Sequence, residues 1–303
     1  VGFGAVTVSD GVITVPDAGV FSALVTGDAR AALEAGKITK IVKTGEGELI
    51  LDTALAGYRG EWDLVDGVTL VAVPENAFGA GAVTVKRPAQ LKVKKGVEAV
   101  LGGPLAVKGG DPHWKAVYMD ETGLTLLAPA TVEGGCNLHF QGGKARLRCR
   151  GGFEQKSGTI TTTGANGIWS VEGVPAHFAT VSLTWLYLDL DVAGCSADVF
   201  DLAIGGKVRL KGDVTARTVT GGEKKDCAIV ARWPCSFALT GDGDVKLCCD
   251  VSGPIIFRKT GKGTLTSVKP LPGTPGTVEV KDGVLSVTVG PEDDLGSTRN
   301  VIR

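Results

Sequence analysis

Apolar residues recur at every second position in short stretches along this chain, and the stretches stop at glycine or at an Asp-Gly pair. Val71 and Val73, Val83 and Val85, and Val287 and Val289 show the spacing. A period of two belongs to a strand with one buried face, because successive side chains leave a strand on opposite sides. The punctuation is as regular as the strands. Gly-x-Gly opens a turn that requires positive φ, a short apolar run follows, and Asp-Gly marks a tight turn. Strand, turn and strand succeed one another with no helical pattern between them.

The spacing itself repeats. Lys43-Thr44-Gly45-Glu46-Gly47-Glu48-Leu49 returns as Lys259-Thr260-Gly261-Lys262-Gly263-Thr264-Leu265. Laid over each other without a gap, 43–73 and 259–289 agree at thirteen of thirty-one positions, including Leu55/Leu271, Gly57/Gly273, Gly60/Gly276 and Asp66-Gly67-Val68/Asp282-Gly283-Val284. Self-similar units joined by short turns predict coils stacked on one another, each burying its inward residues against the next. The expected fold is all-β, a parallel β-solenoid forming a single domain over 1–303. Repeat-like coils at 41–95 and 257–303 flank a divergent central part, 97–256. Phe3-Gly4-Ala5-Val6-Thr7-Val8 echoes Gly81-Ala82-Val83-Thr84-Val85, and Leu295-Gly296 echoes Phe78-Gly79. Both ends read as cuts through a longer array, a module with flanking domains in a larger protein. One short helix is expected near the N-terminus, over 28–36, with Asp28 as N-cap and Gly36 as its C-terminal stop.

The motif carries a resemblance. Lys-x-Gly-x-Gly-x-Leu, then Tyr58-x-Gly60, Asp66-Gly67-Val68-x-Leu70 and Ala77-Phe78-Gly79-x-Gly81-x-Val83-x-Val85 resembles the passenger-associated transport repeat of autotransporters and related secreted proteins. The likeness covers 41–95 well and 257–303 in part. It implies a right-handed parallel β-helix and a secreted or cell-surface location. Such scaffolds serve as stalks, adhesins, enzymes and β-helical carbohydrate-binding modules, so the resemblance does not choose a function.

Function is sought in the divergent part, where strand-like runs fall at 125–127, 137–140, 144–149, 159–163, 168–171, 181–192, 207–214, 228–233, 236–239 and 245–251. Over 181–192, strict alternation sends Leu186, Leu188, Leu190 and Val192 to the core. It sends Trp185, Tyr187, Asp189 and Asp191 to the opposite face. Two rings beside two carboxylates suit a polysaccharide, whose sugars have apolar C–H faces and polar edges. Arg209, from the outward set Arg209, Lys211 and Asp213, joins this candidate site. Arg146, Arg148 and Arg150 form a similar row, and stacking such rows beside Asp189 and Asp191 would instead build a cross-strand salt-bridge ladder. Trp114, in the Gly110-Asp111-Pro112-His113-Trp114 loop, and Trp233, before Pro234, are further candidates for ligand contact. Asp189, Asp191, Asp242 and Asp244 are candidate calcium ligands, since that ion prefers hard oxygen donors; turn chemistry accounts equally well for Asp242-Gly243-Asp244.

Composition narrows the classes. Forty-five glycines and 43% apolar but only 6% aromatic residues suit a Val/Leu/Ile-lined solenoid and argue against disorder. Lys+Arg 32 against Asp+Glu 33 gives no basic field for nucleic acid or an anionic membrane. No run of ~18 apolar residues is present to insert into a bilayer. Seven cysteines lie between 136 and 249 without a CxxC pair, which argues against zinc; an oxidising compartment would permit disulfides, with one cysteine left over. Cys149 and Cys249 fall on the core side of their strands, and the vicinal Cys248 and Cys249 point to opposite faces. His113, His139 and His177 stand in no motif with a nucleophile. A G-x-S-x-G elbow, a P-loop and HExxH are absent, as is the usable acid set of polygalacturonase-like hydrolases, Asp293-Asp294 being the sole Asp-Asp pair. The leading expectation is a non-catalytic module that binds an extended, xylan-like plant polysaccharide. A structural or adhesive passenger segment is second, and a polysaccharide lyase or glycoside hydrolase third.

Overall fold

A computed structural model describes residues 6–16, 18–164, 166–223, 226–269, 277–287 and 301–302. The echoes at Phe3–Ala5 and at Leu295-Gly296, the Leu271, Gly273 and Gly276 matches, and Asp293-Asp294 lie outside the described residues. The chain is an all-β, parallel β-solenoid of about 11 turns. Among the described residues, strand pairing is parallel except between Thr7–Ser9 and Val12–Val15.

Coils stack in register, so residues at equivalent positions form columns through the core. Ile13, Ile41, Trp62, Val83, Leu105, Ala130, Phe153 and Ala176 are such a column, each paired with the next and each buried. In the divergent part the core becomes aromatic. Phe153, Phe178, Phe200, Phe237 and Phe257 follow one another at centroid separations of 5.2, 6.0, 6.2 and 5.6 Å. Trp169 packs edge-on to Phe153 at 4.9 Å and to Phe178 at 5.4 Å. Rings at this spacing add to the stabilisation from area burial.

The repeated motif has a physical explanation. Lys43 and Lys259 are fully buried. The Lys43 ammonium donates to the carbonyls of Thr44 at 2.7 Å and Gly45 at 2.8 Å, and Lys259 donates to Gly241 at 3.0 Å and to Gly261. Gln155 stands in the same column and donates to Gly158 and Thr180 in the same manner. A polar head at this inward position satisfies carbonyls that the turn has taken out of the ladder. The glycines follow from stacking. A Cβ on Gly67 would lie 2.4 Å from the Gly45 carbonyl, and one on Gly283 would lie 2.4 Å from that of Gly263, so Asp-Gly in one coil sits directly on Gly-x-Gly of the coil before.

Three expectations are corrected. There are two short helices, Phe21–Leu24 and Gly27–Glu34, not one. Thr26, not Asp28, is the N-cap of the second; Asp28 lies in its first turn, where a carboxylate favours the positive end of the helix. Gly36 does stop it, at φ +68°: Lys37 N–H donates to Ala32 and Gly36 N–H to Leu33, closing a Schellman motif. The parallel echo at 6–8 does not hold, because Asp10 and Gly11, at φ +50° and +76°, turn Thr7–Ser9 back as an antiparallel hairpin strand. The seven cysteines are buried free thiols, Cys149 and Cys249 inward as expected. No helix among the described residues is long and apolar enough to cross a membrane.

Two predictions follow from the packing. Replacing Lys43 by Met strands the Thr44 and Gly45 carbonyls and should lower the free energy of unfolding by about 2 kcal/mol, read from urea denaturation. Asp63 accepts from Lys40 at 2.7 Å and Lys86 at 3.0 Å. Burial alone would raise its pKa, but the hydrogen bonds from the two lysines outweigh it and hold the carboxyl below its ordinary value. The unfolded state therefore binds the proton more readily. This contribution should be complete above about pH 4 and disappear as pH falls through the lower folded value. Asp63→Asn should cost about 1 kcal/mol at pH 7, given partial screening, and flatten the acid limb of the stability–pH curve.

Candidate functional site

The run 181–192 is not one strand. It divides into Ala176–Leu183 and Leu186–Leu190, which belong to different sheets. Thr184 and Trp185 form the corner between them. A similar corner recurs one or two residues before five strands of the eight-stranded sheet, Gly123–Leu126, Gly167–Val171, Leu186–Leu190, Lys207–Leu210 and Ala228–Ala231. Glu121, Asn166, Trp185, Gly205 and Asp226 occupy it, with φ of +50°, +58°, +50°, +68° and +68°. The corner needs a left-handed residue, and Asn, Asp and Gly adopt that conformation most readily. Trp185 is the bulky exception.

Trp185 is bound on both sides, its N–H donating to the Ile204 carbonyl at 2.8 Å and its carbonyl accepting from Asn166 N–H at 2.9 Å. Its indole lies over Gly205, where a Cβ would stand 2.4 Å from Cε3, and 43% of the residue remains exposed. Trp185 is exposed, as alternation expected, but it is the corner residue before the strand and not part of one continuous strand with Tyr187 and Asp189.

Leu186, Leu188 and Leu190 are buried, and Tyr187 and Asp189 face outward, as expected. The face is a ladder. Asp189 accepts from its neighbour one coil on, Arg209, through two of the guanidinium nitrogens, Nε to Oδ1 and Nη2 to Oδ2, the latter at 2.6 Å. Lys211 donates to Asp191 Oδ2 at 2.5 Å, leaving Asp191 Oδ1 buried without a hydrogen-bond partner. Arg150 and Glu172 continue the ladder at 3.3 Å. The Arg209 guanidinium lies 4.5 Å from the Tyr187 ring centre and Lys207 Nζ lies 5.4 Å from it. Tyr187 thus presents a ring already engaged by cations, whereas no cation–π partner is found for Trp185 among the described residues.

The remaining candidates separate. Trp233 is 62% exposed and follows the strand Ala228–Ala231, so it stands at the opposite edge of the eight-stranded sheet from Trp185. Trp114 is not a surface ring: it is buried, and its Nε1–H donates to the Pro88 carbonyl at 3.2 Å. Its loop folds back on the preceding coil, which a Gly/Asp/Pro-rich sequence does not reveal. Asp242 and Asp244 lie in the turn between Cys235–Leu239 and Val245–Leu247, away from Asp189 and Asp191. They accept from the backbone N–H groups of Lys262 at 3.0 Å and Thr264 at 2.7 Å, the turn-chemistry role. Among the described residues no three His, Cys, Asp or Glu side chains are grouped to hold a metal ion.

Sequence reasoning missed a groove of about 770 Å³ lined by His177, Ser196, Asp198, Arg217, Asp242 and Asp244, with others. It follows the bend in the long strands Ala176–Leu183, Cys195–Leu202 and Val214–Gly221, the last two of which were also missed as strands. His177 Nδ1 and Ser196 Oγ are 2.9 Å apart on its wall. The only signal was a broken alternation, two outward residues in succession at Asp198-Val199 and Arg217-Thr218.

No family model, no curated protein and no solved structure matches this chain.

Proposed function

We propose that this chain is a non-catalytic module that binds an extended, xylan-like polysaccharide across the outer face of the eight-stranded sheet, with Trp185 as its aromatic platform. The observation that carries the reading is the conformation of Trp185. Left-handed backbone costs an L-residue roughly 1–2 kcal/mol, and neighbouring coils avoid most of that cost with Asn166, Gly205 and Asp226. Here a large ring is held in that conformation, exposed, and laid flat on a glycine. Backbone strain concentrates where structure serves binding or chemistry. A flat indole suits the C–H face of a sugar, and the Asp189–Arg209 and Asp191–Lys211 pairs beside it offer acceptors and donors to its hydroxyls. Tyr187, the first outward residue of the strand that follows the corner, would extend the platform, and Trp233 marks the far edge. The autotransporter-like repeat motif makes a secreted or cell-surface parent, with flanking domains, part of the same proposal.

A second reading, a structural or adhesive passenger segment, is favoured by the ladder itself: Asp189 pairs with Arg209 and Asp191 with Lys211 across adjacent coils without a ligand.

The two readings part on three measurements. In affinity electrophoresis on xylan, Trp185→Ala should weaken retention by about 1–2 kcal/mol. Trp185→Asn, which copies the corner residue of the preceding coil, should weaken it equally while leaving stability within about 1 kcal/mol of the parent. Calorimetry with oligosaccharides of increasing length should show affinity rising until the face is spanned and changing little with salt, because net charge is close to zero. Absence of retention on any glycan would favour the passenger reading, and retention untouched by either Trp185 substitution would move the site to Trp233 or to the groove.

A further inference from the structure

We propose that Cys227 and Cys249 form an inter-coil disulfide when the chain folds in the presence of a disulfide-class oxidant. Ala228 pairs with Asp250 in parallel strands, and Asp250 N–H donates to the Cys227 carbonyl at 3.1 Å, so Cys227 and Cys249 occupy equivalent positions on adjacent coils. Both side chains point inward, since the next residues, Ala228 and Asp250, face outward and both cysteines are buried. Adjacent coils stand ~4.8 Å apart, within the Cα separation that a disulfide spans.

None of the other five cysteines has a cysteine at its registered neighbour. Cys136 faces Ile160, Cys149 faces Val171, Cys195 faces Val214 and Cys235 faces Ile255. Cys248 lies 4.0 Å from Glu223 Oε1. The Cys227 thiol now donates to the Ala203 carbonyl at 2.7 Å, above a position where the preceding coil carries Gly206. Rotation about its Cα–Cβ bond turns the sulfur toward the following coil and Cys249.

The chemistry balances with oxidised glutathione as the acceptor. One thiolate attacks the glutathione disulfide and releases one glutathione thiol. The second thiolate then displaces the other, so two cysteine hydrogens and two electrons end on two glutathione molecules. Burial pushes the Cys249 thiol up to about 12, so thiolate is scarce in the closed fold and the bond forms while the coils assemble. The product fastens Ala228–Ala231 to Asp250–Ser252, the last strand of the eight-stranded sheet among the described residues.

The full chain, unfolded and reduced, is refolded in a glutathione redox buffer, alkylated, and digested with trypsin for mass spectrometry without reduction. Five cysteines should be alkylated where the reduced chain shows seven. The peptide containing Cys227 should be joined to that containing Cys248 and Cys249, with fragmentation assigning the bond to Cys249. The link should persist in Cys248→Ser and vanish in Cys249→Ser, and the oxidised chain should unfold at a higher urea concentration than the reduced one. Seven alkylated thiols after oxidative refolding, or a bond through Cys248, would overturn the proposal.

Discussion

In-register parallel stacking governs this molecule. Each coil hydrogen-bonds to the coil before and after it, so every residue has as its nearest lateral neighbours the residues at the same position one coil away. A buried position is therefore satisfied or violated by its column. Trp62 is tolerated between Ile41 and Val83 because Phe21, Tyr58 and Phe78 close around its ring at 5.6, 6.4 and 5.2 Å. An outward position is paired the same way, which is why Asp63 finds Lys40 and Lys86, and Asp189 finds Arg209.

The corners are where stacking is hardest, because a turn removes carbonyls from the ladder and brings backbones close together. The molecule meets this in two ways. At one corner, inward Lys43, Gln155 and Lys259 give up solvent to hold turn carbonyls, and glycines admit the next coil's backbone. At another, a left-handed residue leads the chain from one sheet into the next, and Glu121, Asn166, Trp185 and Asp226 at that position are exposed. That geometry is what frees Trp185. A ring on the strand itself, such as Tyr187, is drawn into contact with its column neighbours Lys207 and Arg209.

Much of the fold was legible because columns imprint on sequence. Lys-Thr-Gly-x-Gly returned at 259 because the same corner needs the same ammonium and the same two glycines. What remained hidden were departures without a marker. Thr184-Trp185 turns a corner with no Gly, Pro, Asn or Asp, so alternation carried on through it and set Trp185 on the strand face. The bend through Asp198-Val199 and Arg217-Thr218 contains no Gly or Pro, and the groove beside it went unseen. Trp114 looked like a surface ring because nothing local announces a hydrogen bond to Pro88 in the preceding coil. The ladder of Asp189, Asp191, Arg209 and Lys211 was legible as an alternative, since rows of opposite charge on successive coils must meet.

The central claim is that the indole of Trp185 is held exposed for a ligand. Oxidative footprinting of the intact chain, with tryptophan modification followed by peptide mass spectrometry, reads that ring directly. Without glycan, Trp185 and Trp233 should oxidise readily while the buried Trp62, Trp114 and Trp169 do not. With a saturating soluble xylan the account predicts that Trp185 becomes strongly protected. Equal oxidation of Trp185 with and without every glycan tested would contradict it.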